Sequence, residues 1–196
     1  MGAVNLEHSK SAYAADFAFY SLAILAIAVY LTVFSAGNHW TSGIYLVLTF
    51  MSGLCAWSLV EYLLHRFVLH GLQPFKRWHF EHHIRPTALI GAPTVLSSGL
   101  IFTLVFLPAW ASMGLQGAAA LTLGVLVGYL AYATVHHGVH HWRAKSAWLI
   151  KRKRWHALHH HADTAHAPGR YGVSTSLWDH VFATLPSSLV QHKSED

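Results

Sequence analysis

Two uncharged apolar runs organise the chain: neither Phe17–Val60 nor Pro86–Trp142 contains Asp, Glu, Lys or Arg. A helix crossing the hydrocarbon core of a bilayer needs roughly 20 apolar residues, so each run is long enough for two crossings and a turn. The turns are legible as glycine-rich polar breaks, SAGNHWTSG at 35–43 and ASMGLQG at 111–117. The pattern predicts four transmembrane helices in two hairpins, at about 14–60 and 88–135, with histidine-bearing polar parts at about 61–87 and 136–185. No stretch is long enough to serve as an interdomain linker, so residues 1–196 read as one all-α integral membrane domain.

Charge adds an orientation. All 13 Lys and Arg lie outside the two runs, and the positive-inside rule then places both termini and both polar parts in the cytoplasm. The sequence pI of about 9.5 needs no nucleic acid to explain it. KRKR at 151–154 reads as a topology signal close to anionic lipid head groups. Cys55 is alone and falls in a predicted crossing, which excludes a disulfide framework and a thiolate metal site. The opening MGAVNLEHSKSAYAADF lacks a basic n-region and a small-residue cleavage site, so the first helix is expected to stay as an anchor.

The chemistry lies in the histidines, 18 in 196 residues. KRWHFEHH at 76–83 returns as KRWHALHH at 153–160, a trace of an internal repeat in which each hairpin is followed by histidines. Residues three and four apart share a helix face, so His79, His82 and His83 can converge, as can His156, His159 and His160, and also His136 and His140. His65 and His70, five apart, need a helix end or a bend to meet. These ten imidazoles are predicted at one cytoplasmic membrane boundary, too many for one cation and enough for two. Imidazole suits zinc, copper, iron and nickel alike, so ligand type leaves the metal open. The nearby acids, Glu61, Glu81, Asp163 and Asp179, do not form the paired Glu-x-x-His motifs of a ferritin-like site, so any dimetal centre here is nearly all histidine.

Glu61, one turn before His65, is expected to accept a hydrogen bond from a ligand's second ring nitrogen. His137, His141, His161 and Asp179 are candidates for neighbouring or alternative ligand positions, with His166 and His180 in reserve, whereas His8, His39 and His192 read as solvated. VSTSLWDHVFATL at 173–185 reads as a closing amphipathic segment that faces the core or lies on the membrane.

The ordered set HxxxxH (65, 70), HxxHH (79, 82, 83), HxxxH (136, 140) and HxxHH (156, 159, 160) resembles the fatty acid hydroxylase/sterol desaturase superfamily of membrane di-iron enzymes. EYLLHRFVLH at 61–70 and GVSTSLWDHVF at 172–182 are most similar to the fatty acid 2-hydroxylases, and the likeness runs from about Val60 to Leu185. The resemblance implies a four-helix anchor capped by a cytosolic helical domain, ten histidines holding two iron ions (zinc can replace iron in purified protein), dioxygen as co-substrate, and a lipid entering from the bilayer. The implied reaction is hydroxylation of an acyl chain at its α-carbon, in a free fatty acid or a ceramide-like lipid. Two positions depart from the 2-hydroxylase pattern, Ala133 in place of an acid and His137 in place of a tyrosine, and the spacing from His70 to His79 is short. The sequence carries no HPGG haem motif, so a separate cytochrome b-type or ferredoxin-type electron donor is expected.

HHGVHHWR at 136–143 is also similar to the HDxxVHxR motif of carotenoid ring hydroxylases, in which His141 rather than His140 would be the ligand. That enzyme, or a sterol-type hydroxylase or desaturase, is the alternative within the superfamily. A haem-carrying bundle would need histidines at mid-membrane, and a metal transporter would need polar groups there; the crossings supply almost none. The expected location is a bacterial inner membrane, with the endoplasmic reticulum as the alternative.

Overall fold

The computed structural model describes residues 7–35, 40–161 and 169–185. In chain order the elements are α1 (Lys10–Ser35), α2 (Trp40–Leu63), a π-helical turn (Leu64–Leu69), α3 (Phe75–Ile84), α4 (Thr94–Ile101), a second π-helical stretch (Phe102–Phe106), α5 (Leu107–His141), α6 (Ala147–His160) and α7 (Leu177–Val181). They fall into two compact units, one built from the chain up to Ser58 with Ala88–Ala131, the other from Leu59–Thr87 with the chain from Tyr132 onward.

The first unit turns its apolar side chains outward. Leu22, Leu25, Val29 and Val33 form an exposed stripe along α1, with Leu22 at 65% exposure, an arrangement that water would penalise and lipid would not. Three helical stretches among the described residues are long and apolar enough to cross a membrane: Lys10–Phe34, Gly43–Leu69 and Thr94–His141. The last has 48 residues. As one straight rod it would measure roughly 70 Å, more than twice the hydrocarbon thickness of about 30 Å. It is broken at Gly114, whose φ of 72° and ψ of 177° lie outside the helical region; a residue with a Cβ is disfavoured at that φ. The second apolar run is therefore helical on both sides of a non-helical break at Gly114, inside the glycine-rich segment at 111–117.

Contacts on either side of that break are specific. The Tyr20 hydroxyl lies 2.7 Å from that of Ser97, before the break, and the Tyr20 ring packs 4.5 Å from Tyr129, after it. Tyr129 in turn meets Trp57 edge-on at 5.3 Å. Glycines bring α2 and the later part of α5 into backbone contact: a Cβ on Gly124 would come within 2.1 Å of the Phe50 carbonyl oxygen, and one on Gly53 within 2.2 Å of that of Leu121. Small residues at such crossings are how apolar helices pack when lipid supplies no hydrophobic drive between them. Gly124→Leu is expected to destabilise this unit by about 1–3 kcal/mol through overpacking, read as a lower unfolding temperature in detergent. His8, expected to be merely solvated, is tied down: its backbone N–H donates to Leu89 O at 2.9 Å and its ring Nε2 lies 3.2 Å from Gly91 O.

The second unit contains the π-helical turn, α3, the end of α5, α6 and α7. Ser146 caps α6, its hydroxyl accepting from the Leu149 N–H at 3.2 Å. Arg152, Trp155, His156 and His159 follow along this helix. Within KRKR, Arg152 is buried because the 3.6-residue period puts it on the face of His156 and His159. The cost of burying its guanidinium is opposed by attraction to Glu61 and Asp179. Trp155 stands within cation–π range of Arg152 and Arg170, at 5.7 and 5.6 Å.

Candidate metal centre

The π-helical turn solves the problem posed by the five-residue spacing of His65 and His70. The His70 N–H donates to the His65 carbonyl at 3.2 Å, an i→i+5 bond that widens the helix, and the two rings come to 5.2 Å between centroids. Two groups of imidazoles then form. His65, His70, His79, His83 and His159 bring one ring nitrogen each within 4.8 Å of one another, and so do His82, His136, His140 and His156. His160 adjoins the second group, with its Nε2 at 3.0 Å from that of His156.

Each repeated HxxHH phrase is divided between the two groups. His79 and His83 of α3 join the first and His82 the second; His156 of α6 joins the second, with His160 beside it, and His159 the first. The helical angle explains the division. Residues four apart lie about 40° from each other around the axis, but adjacent residues differ by about 100°, so the middle histidine of each phrase faces away from the outer pair. The two halves thus exchange one histidine each.

The donor set fits transition-metal ions. The Nε2 atoms pair at 3.0 Å (His65–His79), 3.1 Å (His70–His159), 3.1 Å (His79–His83), 3.1 Å (His82–His136) and 2.9 Å (His140–His156). Imidazole nitrogens about 2.1 Å from one ion, at right angles to each other, lie about 3.0 Å apart. The Nδ1 of His65 is 2.5 Å from Tyr171 O and that of His159 2.8 Å from Gly169 O; a carbonyl only accepts, so both rings carry their proton on Nδ1 and present a bare lone pair at Nε2.

Burial keeps the site uncharged. It pushes the pKa of His70, His83 and His160 down to about 4 and that of His159 to about 3, and holds those of His79 and His156 well below the usual histidine value, with neighbouring imidazoles adding to the effect. At neutral pH these rings are neutral, the form that binds a metal. Because the folded values lie below the unfolded value of about 6.5, the unfolded chain takes up more protons on acidification. The stability these groups contribute is fully present above about 6.5 and is lost as pH falls towards 4. Metal-free protein is therefore expected to unfold, and loaded protein to release metal, across that window, as checked by circular dichroism and metal analysis along a pH series.

Glu61 and Asp179 stand one step further from the rings than expected. The Glu61 side chain accepts from the N–H groups of Val173 (2.8 Å) and Ser174 (2.9 Å) and from the Ser174 hydroxyl. Asp179 accepts from the N–H groups of Tyr171 (2.8 Å) and Gly172 (2.9 Å) and from the Thr184 hydroxyl (2.7 Å). Both therefore hold the loop at 169–175, and the carbonyls of that loop, not the acids, meet the ring nitrogens. Gly172 is needed there, since a Cβ would come within 1.9 Å of Thr175 O. His137 and His141 stack on each other at 4.4 Å, outside both groups. The exposed His161 bonds its own helix at Ala157 O, and His180 bonds Ser176 O. His39, Asp163, His166 and His192 lie outside the described residues. Sequence reasoning missed Tyr171, whose ring packs 5.5–5.8 Å from His65, His70 and His159; its only signal was an aromatic residue beside a glycine before the closing segment.

Comparison with known proteins agrees with this geometry. Residues 50–184 match the fatty acid hydroxylase family model. The chain is 32% identical over 149 residues to dihydroceramide fatty acyl 2-hydroxylase FAH2 of Arabidopsis thaliana, covering 68% of this chain and 59% of that protein. It is 32% identical over 149 residues to the fatty acid 2-hydroxylase of Homo sapiens, covering 69% and 39%. Among solved structures it is similar to full-length scs7p, of which only the hydroxylase domain is visible, with a TM-score of 0.69 and 26% identity over 87% of this chain and 66% of that one. The chain spans about two fifths to three fifths of the length of the two sequence relatives named here. With the match extending over both repeated histidine phrases and the loop that meets them, the chain belongs to the fatty acid hydroxylase family.

Proposed function

We propose that the protein is an oxygen-dependent membrane lipid hydroxylase that places a hydroxyl group on the α-carbon of a fatty acyl chain, free or ceramide-like. The observation that carries this reading is the pair of all-imidazole groups, buried to half-buried, with neighbouring Nε2 atoms paired at 2.9–3.1 Å. The first iron would be held by His65, His70, His79, His83 and His159, the second by His82, His136, His140 and His156 with His160. When bound, the two irons supply the reductive activation of dioxygen that breaks an unactivated C–H bond.

The chain's own residues hold the ions, exclude water and position one carbon. A cavity of about 550 Å³ opens on His70, His83, His159 and His160, and Phe80 and Ile84 contribute apolar wall. That size suits one end of a lipid. Lys76 and Arg77 also line it, where a polar head would sit. Four crossings in two hairpins are the proposed membrane arrangement, supported by the contacts of Tyr20 with Ser97 and Tyr129 on opposite sides of Gly114. The polar parts would face the cytoplasm of a bacterial inner membrane and receive electrons from a separate cytochrome b-type or ferredoxin-type carrier. The ring-hydroxylase alternative has less support, because His140 rather than His141 joins the second group.

The test is turnover in membranes containing the protein, a chemical or protein reductant, and acyl chains deuterated at the α-carbon. Loss of one deuterium from the product supports the reading; an oxidised carotenoid ring with untouched acyl chains would replace it.

A further inference from the structure

The two histidine groups mirror each other in ligand order but not in what holds the rings. In the first group, the Nδ1–H of His65 is directed at Tyr171 O and that of His159 at Gly169 O. The counterpart of His159, exchanged in the opposite direction, is His82. Its Nδ1 is buried and has no hydrogen-bond partner among the described residues, and the same is true of the Nδ1 of His156. A ligand ring that donates its second N–H is fixed in orientation and made a stronger base, and losing such a partner typically costs about 10–100-fold in metal affinity.

The loop that supplies both carbonyls is itself fixed. Arg170, between them, has a φ of 63°, a left-handed conformation that costs a non-glycine residue about 1 kcal/mol or more and persists only where its surroundings impose it. Asp179, fully buried, takes the next two N–H groups. Glu61 takes the two after those. The Arg170 N–H donates to Thr184 O at 3.3 Å, and the Thr184 N–H to Asp179 O at 2.9 Å. Two buried acids therefore set the position of two carbonyls, and the carbonyls set two ligands of one group.

On the dimetal reading above, we infer that the two metal positions are unequal: the His65–His159 position is the tight one, filled first and emptied last, and Glu61 and Asp179 are positioning residues for it alone. The His82–His156 position is the exchangeable one.

The experiment is titration of metal-free protein in detergent with cobalt(II) alone, followed by its visible absorption. Two steps are expected, the first roughly 10–100-fold tighter than the second. His159→Ala should remove the tight step and keep the weak one, and His140→Ala should do the reverse. Asp179→Asn, and the milder Thr184→Val should the first variant not fold, should weaken the first step by about tenfold and leave the second unchanged. A purely structural role would instead move both steps or neither. Two equivalents binding with the same affinity, or a tight step that survives His159→Ala and disappears in His140→Ala, would overturn the inference while leaving the dimetal reading intact. Folded protein that takes up no cobalt would overturn both.

Discussion

Replacing His156 with alanine is expected to abolish turnover and lower bound metal, while the chain still inserts into the membrane. His156 is buried on α6, and its Nε2 is 2.9 Å from that of His140 and 3.0 Å from that of His160. Removing it takes one nitrogen from the middle of the second group. Loss of a hydrogen-bond partner behind a ligand already weakens metal binding by about 10–100-fold; loss of the ligand itself should cost at least the upper end of that range. Insertion depends on the apolar runs, which the substitution does not touch. Product analysis, metal analysis and membrane fractionation of the same preparation separate the three outcomes. A fully active variant would remove His156 from the centre.

The second large effect is on stability. Asp179 has 0% exposure, and Asp179→Ala leaves the N–H groups of Tyr171 and Gly172 and the Thr184 hydroxyl without the acceptor they have now. Each buried donor left unsatisfied costs about 1–3 kcal/mol. The three are neighbours and do not add independently, so a loss of about 3–5 kcal/mol is expected, at the top of the usual range for one substitution. The effect should appear as a lower unfolding temperature in metal-free protein, where ligand affinity plays no part. A change within about 0.5 kcal/mol, the usual range for exposed positions, would mean that the loop is held by something other than Asp179.

Some of this was legible in the chain and some was not, for identifiable reasons. Charge-free runs name the apolar helices because a single Lys or Glu inside them would be costly in lipid. The histidine spacings 3 and 4 name ring clusters because helical geometry converts spacing directly into a shared face. The same geometry, followed through the 100° step between adjacent residues, also separates His82 from His83 and His159 from His160, although convergence of all three histidines of each phrase was the simpler expectation. The five-residue step from His65 to His70 announced only that an ordinary helix would not serve; the π-helical turn was one of several solutions. Glu61 was recognisable as important by being an acid one helical turn before His65. Its actual partners, the N–H groups of Val173 and Ser174, are backbone groups more than a hundred residues away, and backbone groups leave no mark in a sequence. Arg152 was not singled out, for a related reason: nothing in a basic run distinguishes one member until the helix that carries it is known to bury one face.

Acyl hydroxylation at the histidine centre is tested by lipid mass spectrometry on cells expressing the chain under heavy-isotope dioxygen, beside the His156→Ala variant. One labelled oxygen is expected on the α-carbon of an acyl chain, present with the intact chain and absent with the variant. Labelled hydroxy lipid at equal levels in both, or none from well-expressed, iron-loaded protein with a working reductant, would rule out an acyl hydroxylase centred on these histidines.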